Sequence, residues 1–256
     1  MTHQISADHL TIERIGEIIY NNYKIGLSDD ARKRIIKSRE YLDARIAKEE
    51  NPIYGVTTGF GSLCNVSISK DQLSQLQVNL IKSHACGVGE RLPNDIIKMM
   101  LLLKVQSLSY GFSGCKLDTV ERLVDMFNNN IYPVILEQGS LGASGDLVPL
   151  AHMSLPLVGL GEVEMNGEVV SGEEMNRRMN WKPIELASKE GLALLNGTQN
   201  MSAQAVWALL NAQRLSEWAD VLAEVEAVVQ SVVDVALHSS YKCYHTFMVT
   251  VVRRGE

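Results

Sequence analysis

The sequence has little cysteine, and its few cysteines are spaced irregularly. The four residues are Cys64, Cys86, Cys115 and Cys243, and no two of them form a C-x-x-C pair. A structural zinc site or a redox motif requires paired cysteines at short, fixed spacings. A chain of this length can also bury enough apolar surface to be stable without disulfides. We therefore expect reduced, buried thiols, with neither a disulfide nor a metal site.

Long apolar runs and an excess of basic charge are also missing. The longest apolar stretch, residues 147–160, is interrupted by Pro149, His152 and Pro156. It is shorter than the ~20 residues that a membrane helix requires, which favours a place in the core. The formal net charge is −6, whereas nucleic-acid binding needs clustered Lys and Arg in excess. Because the N terminus also lacks a secretory pattern, we predict a cytoplasmic protein that binds neither membranes nor nucleic acids.

The apolar residues recur mostly at helical spacing, which predicts a mainly α-helical protein. The expected helices cover residues 28–50, 73–81, 94–110, 117–127 and 198–235. The segment that begins at Asn94 is apolar on nearly every side, as is typical of a buried helix, and Asn94 itself is the expected N-cap. Asn166-Gly167 lies between short β-type segments and predicts a small β-hairpin over 163–170. Gly-rich loops connect the predicted helices.

Three glycine-rich stretches are candidate functional loops, and common motifs fit none of them. The stretch GVTTGFG (55–61) lacks the G-K-[ST] ending of a P-loop. The stretch GVGERL (87–92) has Leu92 where the dinucleotide fingerprint requires glycine. The stretch GASGD (142–146) has Asp146 where a nucleophile elbow requires glycine. These departures disfavour nucleotide binding and serine-hydrolase chemistry.

The small residues of segment 139–145 continue directly into the apolar stretch that we expect to be buried. Such residues usually mark a surface turn, yet here we expect them to be pressed against an apolar wall. A sufficiently tight turn would bring the amide nitrogen of Gly145 to the carbonyl carbon of Ala143. Cyclisation with loss of water, including the Ser144 hydroxyl, would then make an electrophile from the chain itself. Residue chemistry alone leaves an ordinary turn and this cyclisation open.

Four collinear stretches favour the cyclisation by resemblance. They are YGVTTGFG (54–61), NLIKSHACGVGE (79–90), GSLGASGDLVPLAHM (139–153) and EGLALLNGTQ (190–199). Each resembles a segment of the aromatic amino acid ammonia-lyases and aminomutases, and together they extend the likeness over roughly residues 10–220. Ser83-His84 is most similar to the branch that acts on histidine, because the phenylalanine and tyrosine lyases tend to carry other pairs.

The resemblance implies a fold, a prosthetic group and a base. The fold is the all-α helical bundle of the ammonia-lyase/fumarase type. The prosthetic group is 4-methylideneimidazol-5-one, formed from Ala143, Ser144 and Gly145, with no metal. Tyr54 is the candidate base for the β-proton of the substrate, or a group that handles the proton nearby. A phenol has a pKa of ~10, so positive charge or a helix dipole would have to activate it.

The remaining implied residues bind the substrate or support the loop. His84 would meet the side chain of the substrate through an imidazole hydrogen bond. Asn196 would hold the substrate or the carbonyl of the prosthetic group, and Gln199 would assist. Asp146 would support the geometry of the loop, whereas Cys86 and His152 are expected in the core.

The reaction implied by the resemblance is elimination of ammonia from L-histidine, a small-molecule substrate, to give urocanate. The alternatives are a phenylalanine or tyrosine lyase, an aminomutase, or an inactive remnant that associates with full-length subunits. Members of the family are about twice as long and build their active sites from three subunits of a homotetramer. We expect residues 1–197 to form the lyase domain that carries the loop and residues 198–256 to begin the central bundle. From about residue 221 the tail looks atypical, and we expect the likeness to end near Asp220–Ala223 through truncation or a frameshift.

Overall fold

The computed structural model describes residues 1–48, 53, 56, 58, 72–142 and 144–253. For residues 236, 237 and 239–253 only the backbone is described. The chain forms two compact units, Met1–Trp207 and Ala208–Glu256. The first unit contains nearly all of the helices and strands, whereas the helix that ends at Arg253 supplies the described part of the second unit.

Helices dominate the described part of the chain, which confirms the predicted mainly α-helical class. They are α1 (Ile12–Tyr20), α2 (Asp29–Lys48), α3 (Leu73–His84), α4 (Asn94–Ser109), α5 (Leu117–Asn128), α6 (Leu147–Ser154), α7 (Gly172–Met179), α8 (Glu190–Leu195) and α9 (Gln199–Arg253). The periodic segments identified in the sequence correspond to α2, α3, α4, α5 and α9. The last of these was predicted too short, because α9 continues past Val235. Among the described residues, no helix is both long and apolar enough to span a membrane.

Short strands connect the helices in small sheets. The strands are β1 (Thr2–Ile5), β2 (Lys24–Leu27), β3 (Val88–Arg91), β4 (Tyr132–Pro133), β5 (Leu136–Gln138), β6 (Glu162–Met165) and β7 (Glu168–Ser171). Strands β1 and β2 pair in parallel, β3 pairs antiparallel with β5, and β6 lies antiparallel between β4 and β7. The turn between β6 and β7 has φ of 53° at Asn166 and 77° at Gly167, as a two-residue hairpin turn requires. The predicted hairpin is therefore confirmed.

The core of the first unit is built around α4. Four consecutive residues of this helix, Met99 to Leu102, have no exposed surface. The predicted burial of α4 on nearly every side is therefore confirmed. The apolar stretch 147–160 forms α6 and a short 3-10 helix (Leu155–Val158), and Leu150, Met153 and Leu157 are fully buried as expected.

Two local predictions were wrong. The N-cap of α4 is Pro93, and Asn94 is the first helical residue. The Asn94 side chain donates to Glu164 Oε1 at 2.7 Å, so it ties the start of α4 to strand β6 rather than capping its own helix.

The second error concerns the thiols. Cys115 is buried and reduced, and burial raises its pKa to about 12. Cys86 is also reduced, but it is exposed and does not belong to the core. The predictions for Cys64 and for the side chain of Cys243 fall outside the described residues.

Candidate active site

The loop that connects β5 to α6 is fastened by Asp146, which is fully buried. Its backbone N–H donates to the carbonyl oxygen of Gly197 at 2.8 Å. Its carboxylate accepts from Ser140 Oγ at 2.9 Å through Oδ1 and from the Met201 N–H at 2.9 Å through Oδ2. Hydrogen bonds from several donors to one buried carboxylate hold their segments firmly together. Asp146 therefore supports the loop geometry, as the sequence suggested.

The turn over residues 142–145 is tight, and glycine is required at its end. The Gly145 N–H donates to the Gly142 carbonyl oxygen at 3.4 Å, and these two residues form an isolated antiparallel bridge. Gly145 has φ of +86°, and a Cβ at this position would clash with the Gly197 carbonyl oxygen. Any side chain at residue 145 would be strained by its φ and would also displace the backbone at Gly197.

The neighbours of the loop differ from those expected. Leu141 is 90% exposed and Ser144 is also exposed in this chain. Among the described residues, the loop meets an apolar wall at its start, where a Cβ on Gly139 would lie 2.6 Å from Val148 Cγ1, and Met201 Sδ would lie 3.9 Å from a Cβ on Gly142. At the end of the loop the neighbour is the polar backbone of Gly197. Polar fastening through Asp146 and Gly197, rather than an apolar wall, holds the reactive end of the loop.

His84 ends α3 with its ring held by its own helix. Its Nδ1 lies 2.8 Å from the Leu80 carbonyl oxygen and 3.1 Å from Ser83 Oγ. A carbonyl oxygen can only accept, so Nδ1 carries the proton when it bonds to Leu80. In the neutral ring, Nε2 is then the nitrogen that can accept a hydrogen bond from a ligand. The ring is half-buried.

His152, expected in the core, makes a specific polar contact. It lies in the last turn of α6, it is half-buried, and its Nε2 accepts from the Gly87 N–H at 3.0 Å. Burial lowers the pKa of His152. The contact connects α6, which follows the 142–145 turn, to the segment that follows His84.

Asn196 belongs to the same cluster through its backbone. Its side chain is exposed, and its carbonyl oxygen accepts from Lys104 Nζ at 3.3 Å. Lys104 is only 1% exposed, and burial lowers its pKa to about 8. Sequence reasoning missed Lys104, although a lysine within the apolar segment MMLLLKV of a buried helix was a signal that could have found it.

The structure brings part of the predicted site together. Gly145, Asp146 and the Asn196–Gly197 segment are in direct contact. Strand pairing of Val88 with Gln138 places the segment after His84 beside the start of the loop. Tyr54 and Ala143 lie outside the described residues.

Gln199 is buried, and its Oε1 has no hydrogen-bond partner among the described residues. An orphaned buried acceptor of this kind is uncommon in native structures. Within the described part of the chain, no group of three or more His, Cys, Asp or Glu side chains is arranged to hold a metal ion.

Comparison with known proteins identifies the family. The model of the aromatic amino acid lyase family matches residues 10–239, and the chain belongs to this family. The match extends past Asp220–Ala223, where we expected the likeness to end. The all-α fold and the collinear glycine-rich segments are therefore explained by common descent.

The named relatives include histidine ammonia-lyases. The histidine ammonia-lyase of Caldanaerobacter subterraneus subsp. tengcongensis is 48% identical over 221 residues, which cover 86% of this chain and 43% of the relative. The crystal structure of histidine ammonia-lyase from Trypanosoma cruzi aligns with a TM-score of 0.76 at 36% identity, covering 84% of this chain and 41% of the other. Phenylalanine aminomutase of Pantoea agglomerans aligns with a TM-score of 0.78 at 32% identity, covering 84% and 41%. The chain spans less than half the length of these proteins.

Proposed function

We propose that this protein eliminates ammonia from L-histidine to give urocanate. The observation that carries the proposal is the 48% identity to a histidine ammonia-lyase over 221 residues that include the fastened turn. In this proposal residues 1–197 form the lyase domain that carries the turn, and residues 198–256 begin the helical bundle. A homotetramer in the cytoplasm is the corresponding assembly and location.

The described residues fit an electrophile made from residues 143–145. The turn requires glycine at its end, and Asp146 fastens it to Gly197 and Met201. Ring closure joins the Gly145 nitrogen to the Ala143 carbonyl carbon. One water leaves with the Ala143 oxygen and the hydrogens of the Gly145 and Ser144 amides, and a second leaves with the Ser144 hydroxyl and its Cα hydrogen. The resulting 4-methylideneimidazol-5-one supplies an electrophilic methylene that makes the amine of the substrate a better leaving group.

Tyr54 is the proposed base. Its phenolate oxygen would take the β-proton, the electrons of that C–H bond would form the new double bond, and ammonia would leave from Cα. A phenol has a pKa of ~10 in water, so nearby positive charge must lower its pKa for this role.

His84 and Asn196 are the proposed substrate-binding residues. The Nε2 of His84 can accept from the imidazole N–H of the substrate, because Nδ1 is engaged with Leu80. Asn196 offers an exposed side-chain amide beside the turn, and Lys104 holds its backbone. Gln199 is a further candidate, since its orphaned Oε1 could accept a hydrogen bond from a group in the site.

Mass spectrometry tests the electrophile. The purified chain should weigh less than its sequence by two water molecules, and peptide mapping should place the deficit on residues 143–145. Ser144→Ala should restore the mass of the unmodified chain and abolish turnover. The control is Ser74→Ala, a change on the exposed face of α3, which should keep the deficit. A wild-type chain with its full unmodified mass would contradict the proposal.

A substrate panel tests the specificity. We expect release of urocanate from L-histidine and little product from phenylalanine or tyrosine. Phenylalanine must be included, since a phenylalanine aminomutase has the same fold at 32% identity. Turnover of phenylalanine or tyrosine but not histidine would refute the assignment through Ser83-His84.

A second candidate function is association without turnover. Helix α9 exposes large apolar side chains, among them Trp218 at 61% and Leu222 at 62%. Such exposed apolar surface is typical of a site that binds another protein surface. Oligomers that form with full-length lyase subunits but lack the mass deficit would favour this function.

A further inference from the structure

The hydrogen bond between His152 and Gly87 links two segments of the candidate site. One is the segment that follows His84, and the other is helix α6, which follows the 139–145 loop. Gly87 donates its backbone N–H, so Nε2 of His152 must present a lone pair, and the neutral ring carries its proton on Nδ1. Burial lowers the pKa of His152, which keeps the ring in this accepting form near neutral pH.

On one side, the contact determines where the end of α3 lies. The Cys86 N–H donates to the His84 carbonyl oxygen at 2.9 Å, which closes a tight turn over residues 84–86, directly before Gly87. Strand β3 begins at Val88 directly afterwards. Because the His84 ring is bonded to its own helix at Leu80, a displacement of Gly87 would move the ring together with the end of α3.

On the other side, the same face of α6 receives the start of the 139–145 loop. Val148 lies one helical turn before His152 and is close to both Gly139 and Gly87. A Cβ on Gly139 would lie 2.6 Å from Val148 Cγ1, and a Cβ on Gly87 would lie 3.3 Å from the same atom and 3.0 Å from His152 Nε2. Gly139 therefore approaches α6 more closely than a residue with a Cβ could without a shift, and Gly87 approaches it more closely than most side chains allow.

We propose that His152 is a positioning residue that sets the location of His84 relative to the turn that ends at Gly145 by accepting the Gly87 N–H. The proposal rests on the proposed function only in assigning His84 to the substrate. A histidine that merely filled space could be replaced by another ring of similar size, whereas a hydrogen-bond acceptor could not.

Amide hydrogen exchange tests the contact without any need for activity. His152→Phe keeps a planar ring but offers no acceptor, and His152→Gln offers an amide oxygen at a similar reach. We expect exchange of the Gly87 amide to be about tenfold faster in His152→Phe, as for loss of one hydrogen bond, and close to wild type in His152→Gln. His9→Phe, a change at an exposed histidine, is the control and should leave Gly87 unaffected.

The ring of the wild-type protein provides a second test should His152→Phe fail to fold. Nitrogen NMR of labelled histidine should show His152 as the Nδ1–H form with an accepting Nε2. A ring protonated on Nε2 would overturn the proposal, as would unchanged exchange of Gly87 in a folded His152→Phe.

Steady-state kinetics then connect the contact to the substrate. In His152→Phe, KM for L-histidine should rise by about tenfold while kcat changes less, because binding through His84 is what becomes misaligned. His152→Gln should restore KM. If the wild type does not turn over histidine, the proposed function fails while the exchange test of His152 still stands. If histidine is turned over and KM is the same in all variants, the positioning role fails.

Discussion

Lys104 is a cationic residue within the largely buried helix α4, with the Asn196 carbonyl oxygen at 3.3 Å. Its pKa is lowered to about 8 by burial, against ~10.4 for an unfolded lysine. The unfolded chain therefore binds more protons between about pH 8 and pH 10.4, so this residue makes stability rise with pH in that window. Below pH 8 the full cost of burying the charge is present.

We predict that Lys104→Met stabilises the protein at pH 7 by about 2 kcal/mol, the cost of the buried charge less one hydrogen bond. The advantage should shrink as the pH rises from 8 to 10, where the wild-type lysine becomes neutral. Urea denaturation at pH 7 and pH 10 measures both effects. A difference that does not change with pH would contradict the prediction.

The matched control is Lys98→Met in the same helix. Lys98 Nζ donates to Asn22 Oδ1 at 3.0 Å and to Asn130 Oδ1 at 2.8 Å. Removal of this donor breaks both hydrogen bonds, and Asn130 Oδ1 keeps only its bond from the Tyr132 hydroxyl, so Lys98→Met should destabilise the protein. Lys104→Met should raise the stability and Lys98→Met should lower it. This difference would distinguish a poorly paired lysine from a well-paired one in the same helix.

At the scale of elements, Glu190 joins α8 to α5. Its carboxylate is fully buried and accepts from the Lys116 N–H at 2.8 Å, from Thr119 Oγ1 at 2.7 Å and from the Ala187 N–H at 2.7 Å. The residue thus caps the start of α5 from another part of the chain. Helix α8 ends at Leu195, next to Asn196, so this connection also positions the site.

We predict that Glu190→Gln destabilises the protein by about 2 to 4 kcal/mol, because an amide offers one acceptor oxygen where the carboxylate has two and places an NH₂ among donors. Glu185→Gln, at an exposed side chain, should change stability by less than about 0.5 kcal/mol. Thermal denaturation followed by circular dichroism would measure both. Equal stability of Glu190→Gln and wild type would contradict the cap.

Helix positions could be predicted from the sequence because apolar spacing is a local property. Leu73, Leu80 and Ile81 share a face of α3 and are buried. The contacts that shape the site could not be predicted in this way. His152 meets Gly87 across 65 positions and Lys104 meets Asn196 across 92, and no pattern within either segment encodes such a partner.

Only part of the structure of the 139–145 loop could be predicted from the sequence. The requirement for glycine at residue 145 followed from the expected tight turn. Its actual neighbour, the Gly197 carbonyl oxygen, became visible only in the fold. Family resemblance aligned EGLALLNGTQ with the site, but it did not indicate that backbone rather than apolar side chains would hold the turn.

At the scale of the whole molecule, the second unit presents an apolar helix surface. The exposed apolar residues of α9 in this unit are Leu209, Leu215, Trp218, Val221, Leu222, Val225, Val228, Val229, Val232, Val233 and Val235. Leu215, Trp218, Leu222, Val225, Val229 and Val232 alternate at spacings of three and four, as in a helix that packs against another helix. A contiguous apolar surface of this kind is unfavourable in water.

We predict that the chain self-associates through this surface. Leu222→Lys with Val225→Lys should shift sedimentation toward the monomer at micromolar concentration. Gln213→Lys with Gln230→Lys adds the same charge at exposed polar positions of α9 and should leave association unchanged. Equal sedimentation of the two double variants would contradict association through the apolar surface.

The hydrogen bond from Met201 to Asp146 spans 55 positions of the chain, and this separation has a consequence in time. At a synthesis rate of about 5 to 20 residues per second, Met201 is added roughly 3 to 10 seconds after Asp146. The polar fastening of the turn is incomplete until then. Ring closure at residues 143–145 would therefore occur late in synthesis, after the ribosome has added the residues beyond 200.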